Sequence, residues 1–95
     1  MKNRGRIEII ARILEAANGR SSITQIMYKA FLSHTQVKEY VKTLIDNGFL
    51  RYDLTSQTYK ITKKGVRFLQ LYNQMDDMVN LSQLYEQEQK QEPGI

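Results

Sequence analysis

The chain has 95 residues, enough for one domain around a single core. Hydrophobic residues make up 41% and charged residues 25%, an ordinary globular balance, and the absence of cysteine excludes disulfides, thiolate metal sites and a thiol nucleophile. The net charge of +4 is unevenly placed: residues 1–67 hold thirteen Lys and Arg against five Asp and Glu, whereas residues 68–95 hold one Lys against five acids.

A basic head on an acidic tail suits a polyanionic partner for the head, or a merely solvated basic surface; charge alone does not choose between them. No apolar run approaches the roughly 18 residues of a membrane span, and the chain opens without a signal-peptide pattern. The expected location is therefore the cytoplasm, with no membrane partner.

Ile7, Ile10, Ala11, Ile13, Leu14 and Ala17 recur at helical spacing, and Asn18-Gly19 supplies a stop signal, which predicts a first helix over about residues 5–18. Ser21-Ser22-Ile23 offers a short extended piece. Ser22 and Gln25 then form an S-x-x-Q capping box, opening a short second helix with Ile26, Met27 and Ala30 on its apolar face. The chain turns at Phe31-Leu32, and Ser33 with Gln36 repeats the box to open a third helix at about residue 34. Its inward stripe is Val37, Tyr40, Val41, Leu44 and Ile45, and Asn47-Gly48 ends it.

Phe49 to Asp53 and Thr58 to Ile61 are aromatic and β-branched stretches around a polar tip, the pattern of a β-hairpin. Thr62 caps a last helix running from Lys63 to near Gln89, roughly 40 Å at about 1.5 Å per residue. A head of some 60 residues cannot cover that length. The order of helix, short strand, helix, helix, hairpin and helix is that of a winged helix-turn-helix: mainly α with a small β-hairpin (α+β), closed by a long C-terminal coiled-coil helix. Residues 1–62 form the winged head, 63–90 the dimerisation helix, and 91–95 a frayed tail.

Three stretches, IEIIARILEAANG, TQIMYKAFLSHTQVKEYVKTLIDNGFL and YKITKKGVRFL, together resemble the small archaeal winged-helix DNA-binding proteins of the ten-kilodalton, chromatin-associated class. The resemblance covers most of the chain and is most specific from Thr24 to Gly65, in the I-M-Y-x-A-x-L-S and I-T-K-K-G runs. It implies a DNA-binding dimer joined by a C-terminal coiled coil whose helices pair antiparallel, with the winged heads at opposite ends. The acidic tail and Asp53 beside the wing depart from that pattern.

With the stripe turned inward, the third helix presents Thr35, Gln36, Lys38, Glu39, Lys42 and Thr43 outward. A helix fits the major groove, and short polar side chains near its N-terminus reach base edges. Gln36 could pair with adenine or be taken up by its own cap. Thr35 could touch a thymine methyl or a phosphate, and Lys38 and Lys42 suit phosphates or guanine. The alternative is a plain solvated face. His34, the single histidine, could donate to a phosphate at the helix start or be an ordinary exposed residue.

On the wing, Arg51 and Lys60 flank a tip of Thr55, Ser56 and Gln57, groups that hold the phosphate backbone or enter the minor groove. An incidentally charged hairpin is the other reading, and Asp53 would repel phosphate. Lys2, Arg4 and Arg6 form a basic start that could also touch the backbone. Lys63 and Lys64 stand at a helix N-terminus, where the dipole disfavours cations; a nearby phosphate would explain them.

Phe68, Leu71, Met75, Met78, Ser82 and Tyr85 repeat at coiled-coil spacing, and Tyr72, Val79 and Leu81 widen the stripe. They form a homodimer seam, unless the helix folds back on its own head. A parallel pair would set Ser82 against Ser82. An antiparallel pair centred on residues 76–77 sets Phe68 against Tyr85, Leu71 against Ser82 and Met75 against Met78, with Arg67 near Glu88 of the partner subunit.

No nucleophile–base pair, glycine-rich phosphate loop or metal-ligand cluster is present in the sequence, and Asp76-Asp77 have no companions. An enzyme, a cofactor, a metal and a small-molecule substrate are not expected. The competing readings are a nucleoid-associated chromatin-organising protein, a regulator reading a two-fold operator on double-stranded DNA, and a winged helix used for protein–protein contact alone.

Overall fold

The computed structural model describes residues 5–91, with side chains described through Val79. Helix α1 spans Arg6–Ala16, α2 Ile23–Ala30 and α3 His34–Asp46; strands β1 Leu50–Asp53 and β2 Thr58–Ile61 follow, and α4 runs Lys63–Gln91. This is an α+β arrangement of four helices and one antiparallel hairpin, with α2 and α3 forming the helix-turn-helix and the hairpin the wing.

Local chemistry sets the boundaries. Both capping boxes form: Ser22 Oγ accepts from the Gln25 N–H (3.2 Å) while Gln25 Oε1 accepts from the Ser22 N–H (2.9 Å), and Ser33 with Gln36 does the same at 3.2 and 3.0 Å. Each cap contributes about 1 kcal/mol. Between the two helices Phe31 adopts a left-handed conformation (φ 57°), a position that usually takes glycine. Its ring lies beneath the Arg12 guanidinium, 5.6 Å away.

In the hairpin Leu50 faces Ile61, Arg51 faces Lys60, Tyr52 faces Tyr59 and Asp53 faces Thr58. Side-chain alternation turns Leu50, Tyr52, Tyr59 and Ile61 to one side and Arg51, Asp53, Thr58 and Lys60 to the other. Ser21 joins through paired backbone bonds with Tyr59 (3.2 and 2.7 Å), so the extended piece is a one-residue third strand at the base of the wing.

The core gathers Ala11, Ile13, Leu14, Ala16 and Ala17 near α1, Ile26 and Ala30 from α2, Leu32, then Val37, Val41 and Leu44 from α3, Leu50 and, from α4, Leu69. Two residues depart from the expected stripes. Ile7 sits in the first turn of α1, past the edge of the core, and is exposed. Ile45 is 36% exposed because it lies at the edge of the inward stripe, beside the Lys38 and Lys42 row, where its side chain lines a surface hollow while neighbouring Leu44 stays in the core.

The start of α4 is locked to the end of α3. Thr62 Oγ1 accepts from the Gly65 N–H (3.1 Å) and donates to the Gly48 carbonyl (2.6 Å). Lys64 donates to the Asn47 carbonyl, and its ammonium stands 4.8 Å from the Phe49 ring centroid. The cation misplaced on the dipole of its own helix thus answers the carbonyl end of another. Phe68 meets Phe49 edge-on at 5.7 Å. Asn73 and Asp76 still line a hollow with Glu8, Arg12 and Glu15 of α1, and the long axis of the molecule is 66 Å against 26 and 19 Å for the others. No helix among the described residues is long and apolar enough to cross a membrane.

Candidate nucleic-acid interface

Three residues of α3, His34, Lys38 and Lys42, stand at i, i+4 and i+8 and therefore share one row of the helix. That row borders the wing. With Asp46 it rims a hollow of about 470 Å³ floored by Ile23, Val41, Ile45 and Tyr59. Gln36, Glu39 and Thr43 lie on the opposite flank, sharing a hollow of about 310 Å³ with Arg6, Ile10, Tyr40 and Leu44. Thr35 occupies the exposed ridge between the flanks. Lys38 and Lys42 thus line the flank toward the wing, while Glu39, three positions before Lys42, lines the other.

Gln36 is held by its cap. Its side-chain oxygen accepts the Ser33 N–H at 3.0 Å. Bidentate pairing with adenine needs that same oxygen to accept from the base amino group, so capping and base reading compete.

On the wing, Arg51 and Lys60 face each other directly across the ladder. Like charges in that position repel. Arg20, from the loop before Ser21, adds a third cation to the same concavity of about 360 Å³, which Tyr52, Asp53, Leu54 and Thr55 complete. Among the described residues no acid is ion-paired with any of the three; the pair that forms is Glu8 with Arg12 at 3.4 Å. Asp53, the acid in this concavity, is committed to the turn. Its Oδ1 accepts the Thr55 N–H at 2.9 Å, and that bond, with Ser56 and the charge of Arg20, holds its carboxyl below the ordinary aspartate range. At the exposed tip Ser56 and Thr58 share a 2.6 Å hydroxyl bond, and Gln57 takes a left-handed conformation (φ 55°). Under the hairpin, burial and then Tyr52 push the Tyr59 phenol up, so it stays neutral.

Of the basic start, Arg6 lies exposed at the first turn of α1 beside the Gln36 flank, and Arg4 lies outside the described residues. Of the expected seam, Phe68 and Tyr72 are half-buried against the head, where Phe68 packs on Phe49 and Tyr72 sits beside Ala11 and Leu69. Leu71, Met75, Met78 and Val79 are exposed, the two methionines to 64% and 67%. Ser82 and Tyr85 lie outside the residues whose side chains are described.

Sequence reasoning missed Arg20 and Leu54. Arg20 becomes findable once Ser21-Ser22-Ile23 is paired with the hairpin, since pairing at Ser21 brings its predecessor to the foot of the wing. Among the described residues no group of His, Cys, Asp or Glu could hold a metal ion.

A helix-turn-helix whose third helix bears a cationic flank toward a cationic hairpin defines a class, and the comparisons agree. The winged helix-turn-helix family matches residues 3–80, and the chain belongs to it. Among solved structures, the crystal structure of Sso10a-2, a DNA-binding protein from Sulfolobus solfataricus, aligns with a TM-score of 0.78 at 23% identity, covering 97% of this chain and 100% of that one. At that identity the likeness shows a shared fold, extending over the long last helix. None of the curated proteins matches the chain.

Proposed function

We propose that this protein binds double-stranded DNA as a homodimer and organises it as a nucleoid-associated chromatin protein of the cytoplasm. Helix α3 enters the major groove, and the wing lies on the backbone and minor groove. The observation that carries this reading is that the head bears two groups of basic side chains, Lys38 and Lys42 on one row of α3 with His34, and Arg20, Arg51 and Lys60 on the wing, the wing cations having no acid ion-paired with them among the described residues. The shared fold with a solved structure described as a DNA-binding protein supports it. The tie-up of Gln36 in its cap favours phosphate holding over base reading, and so an architectural role over an operator-specific one.

The exposed Leu71, Met75, Met78 and Val79 on a helix that outruns its head supply the dimer seam. The antiparallel register sets Met75 against Met78 at the centre, where adaptable thioether side chains suit a symmetric crossing.

The test is a salt titration of binding to random duplexes and to fragments selected from a random pool. Phosphate-dominated binding falls steeply with salt and hardly distinguishes the two. Lys38→Ala and Lys42→Ala should each reduce the slope of log K against log salt by about 0.9. A selected site bound about 10³-fold tighter than random DNA would make the protein a specific regulator instead. No binding to either, even in dilute salt, would leave protein–protein contact as the function of the head.

A further inference from the structure

The wing tip carries a feature that phosphate holding does not use. Leu54 is 81% exposed, more than any other large apolar side chain among the described residues. It is not a loose residue on a floppy loop. The Asp53 carboxylate holds the Thr55 N–H immediately after it, and the Ser56–Thr58 hydroxyl bond closes the other side of the turn. The leucine is therefore presented at a definite place, at the far end of a two-stranded arm anchored to Ser21. Its side chain contributes nothing to the core, and a hydrophilic residue would fit the turn equally well.

The surroundings identify the surface that would receive it. Leu54 shares its concavity with Arg20, Arg51 and Lys60, and the facing of Arg51 by Lys60 leaves a local surplus of positive charge that an anion would relieve. An apolar point rising from a cationic base complements a surface with anionic edges and an apolar interior reached between them. The minor groove of duplex DNA has that form: phosphates line its rims, and stacked base faces lie within reach of an aliphatic wedge. One leucine is too small to anchor a stable protein interface, which needs on the order of 800 Å² from each partner.

We propose that Leu54 is a minor-groove wedge: the three cations seat the wing on the two phosphate rims, and the leucine inserts at a base step, partly unstacks it and kinks the duplex. This rests on the DNA-binding reading above and adds a deformation to it. Pyrimidine–purine steps such as TA and CA unstack most readily, so insertion concentrates there without any base-specific hydrogen bond.

The experiment uses the full chain with duplexes carrying 2-aminopurine beside a central TA step and a fluorophore pair at the ends. The wild-type protein should raise 2-aminopurine fluorescence and shorten the end-to-end distance. Leu54→Ser should bind within about threefold of wild type with the same salt slope, since it removes no charge, yet lose both signals. Arg51→Ala should flatten the salt slope, separating the seat from the wedge. Leu54 is exposed, so Leu54→Ser should melt with the wild-type transition, which checks that the variant is folded. Binding by the wild type without unstacking or bending, or full retention of both in Leu54→Ser, overturns the wedge while leaving DNA binding intact. Failure of the wild type to bind any duplex overturns DNA binding, and the wedge with it.

Discussion

Lys64 Nζ lies 2.9 Å from the carbonyl oxygen of Asn47, tying the first turn of α4 to the residue that ends α3. This contact joins the end of α3 to the start of the long helix α4, and it occupies a lysine that the sequence alone would count as a free cation. Lys64→Met keeps the aliphatic stem over Phe49 and removes the donor. It should cost about 1 kcal/mol in chemical denaturation, the scale of an exposed charge-assisted hydrogen bond. The salt slope of DNA binding should stay unchanged. A flattened slope in Lys64→Met would show that the ammonium contacts phosphate after all.

Gly65 follows in the same turn and reverses the usual rule for helices. Glycine to alanine inside a helix normally stabilises by up to about 1 kcal/mol. Here a Cβ would stand 2.5 Å from the Phe49 carbonyl oxygen and 2.6 Å from Ile61 Cγ1, so α4 must back away from the hairpin. Gly65→Ala should therefore destabilise by about 2 kcal/mol, within the range for overpacking a tight contact. Thermal melts of the two proteins side by side decide the sign, and a higher melting temperature for Gly65→Ala would refute the close approach.

These two residues also mark where the sequence was legible. Helical periodicity, the two S-x-x-Q boxes and Asn47-Gly48 are short-range signals, and each element they predicted is present within a few residues of its expected bounds. Lys64 could be recognised from sequence as a charge in the wrong place, yet its partner lies seventeen positions away across a turn, beyond the reach of local rules. Arg20 was missed for the same reason, because its place depends on the long-range pairing of Ser21 with Tyr59. Ile7 and Ile45 show the opposite error. Both obey the helical period, but Ile7 falls in the first turn past the core and Ile45 at the edge of its stripe, and periodicity fixes a direction without fixing what lies there. Phe68 similarly satisfies the coiled-coil spacing, and Tyr72 widens that stripe, yet both pack on the head, since periodicity does not say which surface the stripe meets.

The turn of the wing should titrate with acid. The folded-state pKa of Asp53 is lowered, chiefly by the Thr55 N–H, so its contribution is fully present above the unfolded aspartate value of about 3.9 and is lost as pH falls through the lower folded value. The amide proton of Thr55, followed by NMR, should shift with a midpoint below that of an unstructured aspartate. Asp53→Asn retains an oxygen acceptor, so the turn should persist and the titration vanish. Asp53→Ala should speed exchange of the Thr55 amide. A midpoint at or above the unstructured value would show that the bond does not persist in solution.

The seam can be tested where it touches nothing else. Met78 is 67% exposed in the single chain and packs on no part of the head, so a change there should leave the head's own stability alone. In the proposed antiparallel crossing Met78 faces the partner's Met75, and two-fold symmetry repeats that layer. One substitution therefore buries two carboxylates, close to Asp76 and Asp77 of both chains. Burying even one unpaired carboxylate strongly opposes association. Met78→Asp, like Met75→Asp, should then be monomeric by light scattering. Its melting temperature should no longer depend on protein concentration, as that of the dimer should. Helical signal should also fall, because in the proposed dimer the partner supports the outer half of α4 and isolated helices of that length are marginal in water. A dimer mass for both variants would place the contact between copies elsewhere on the molecule.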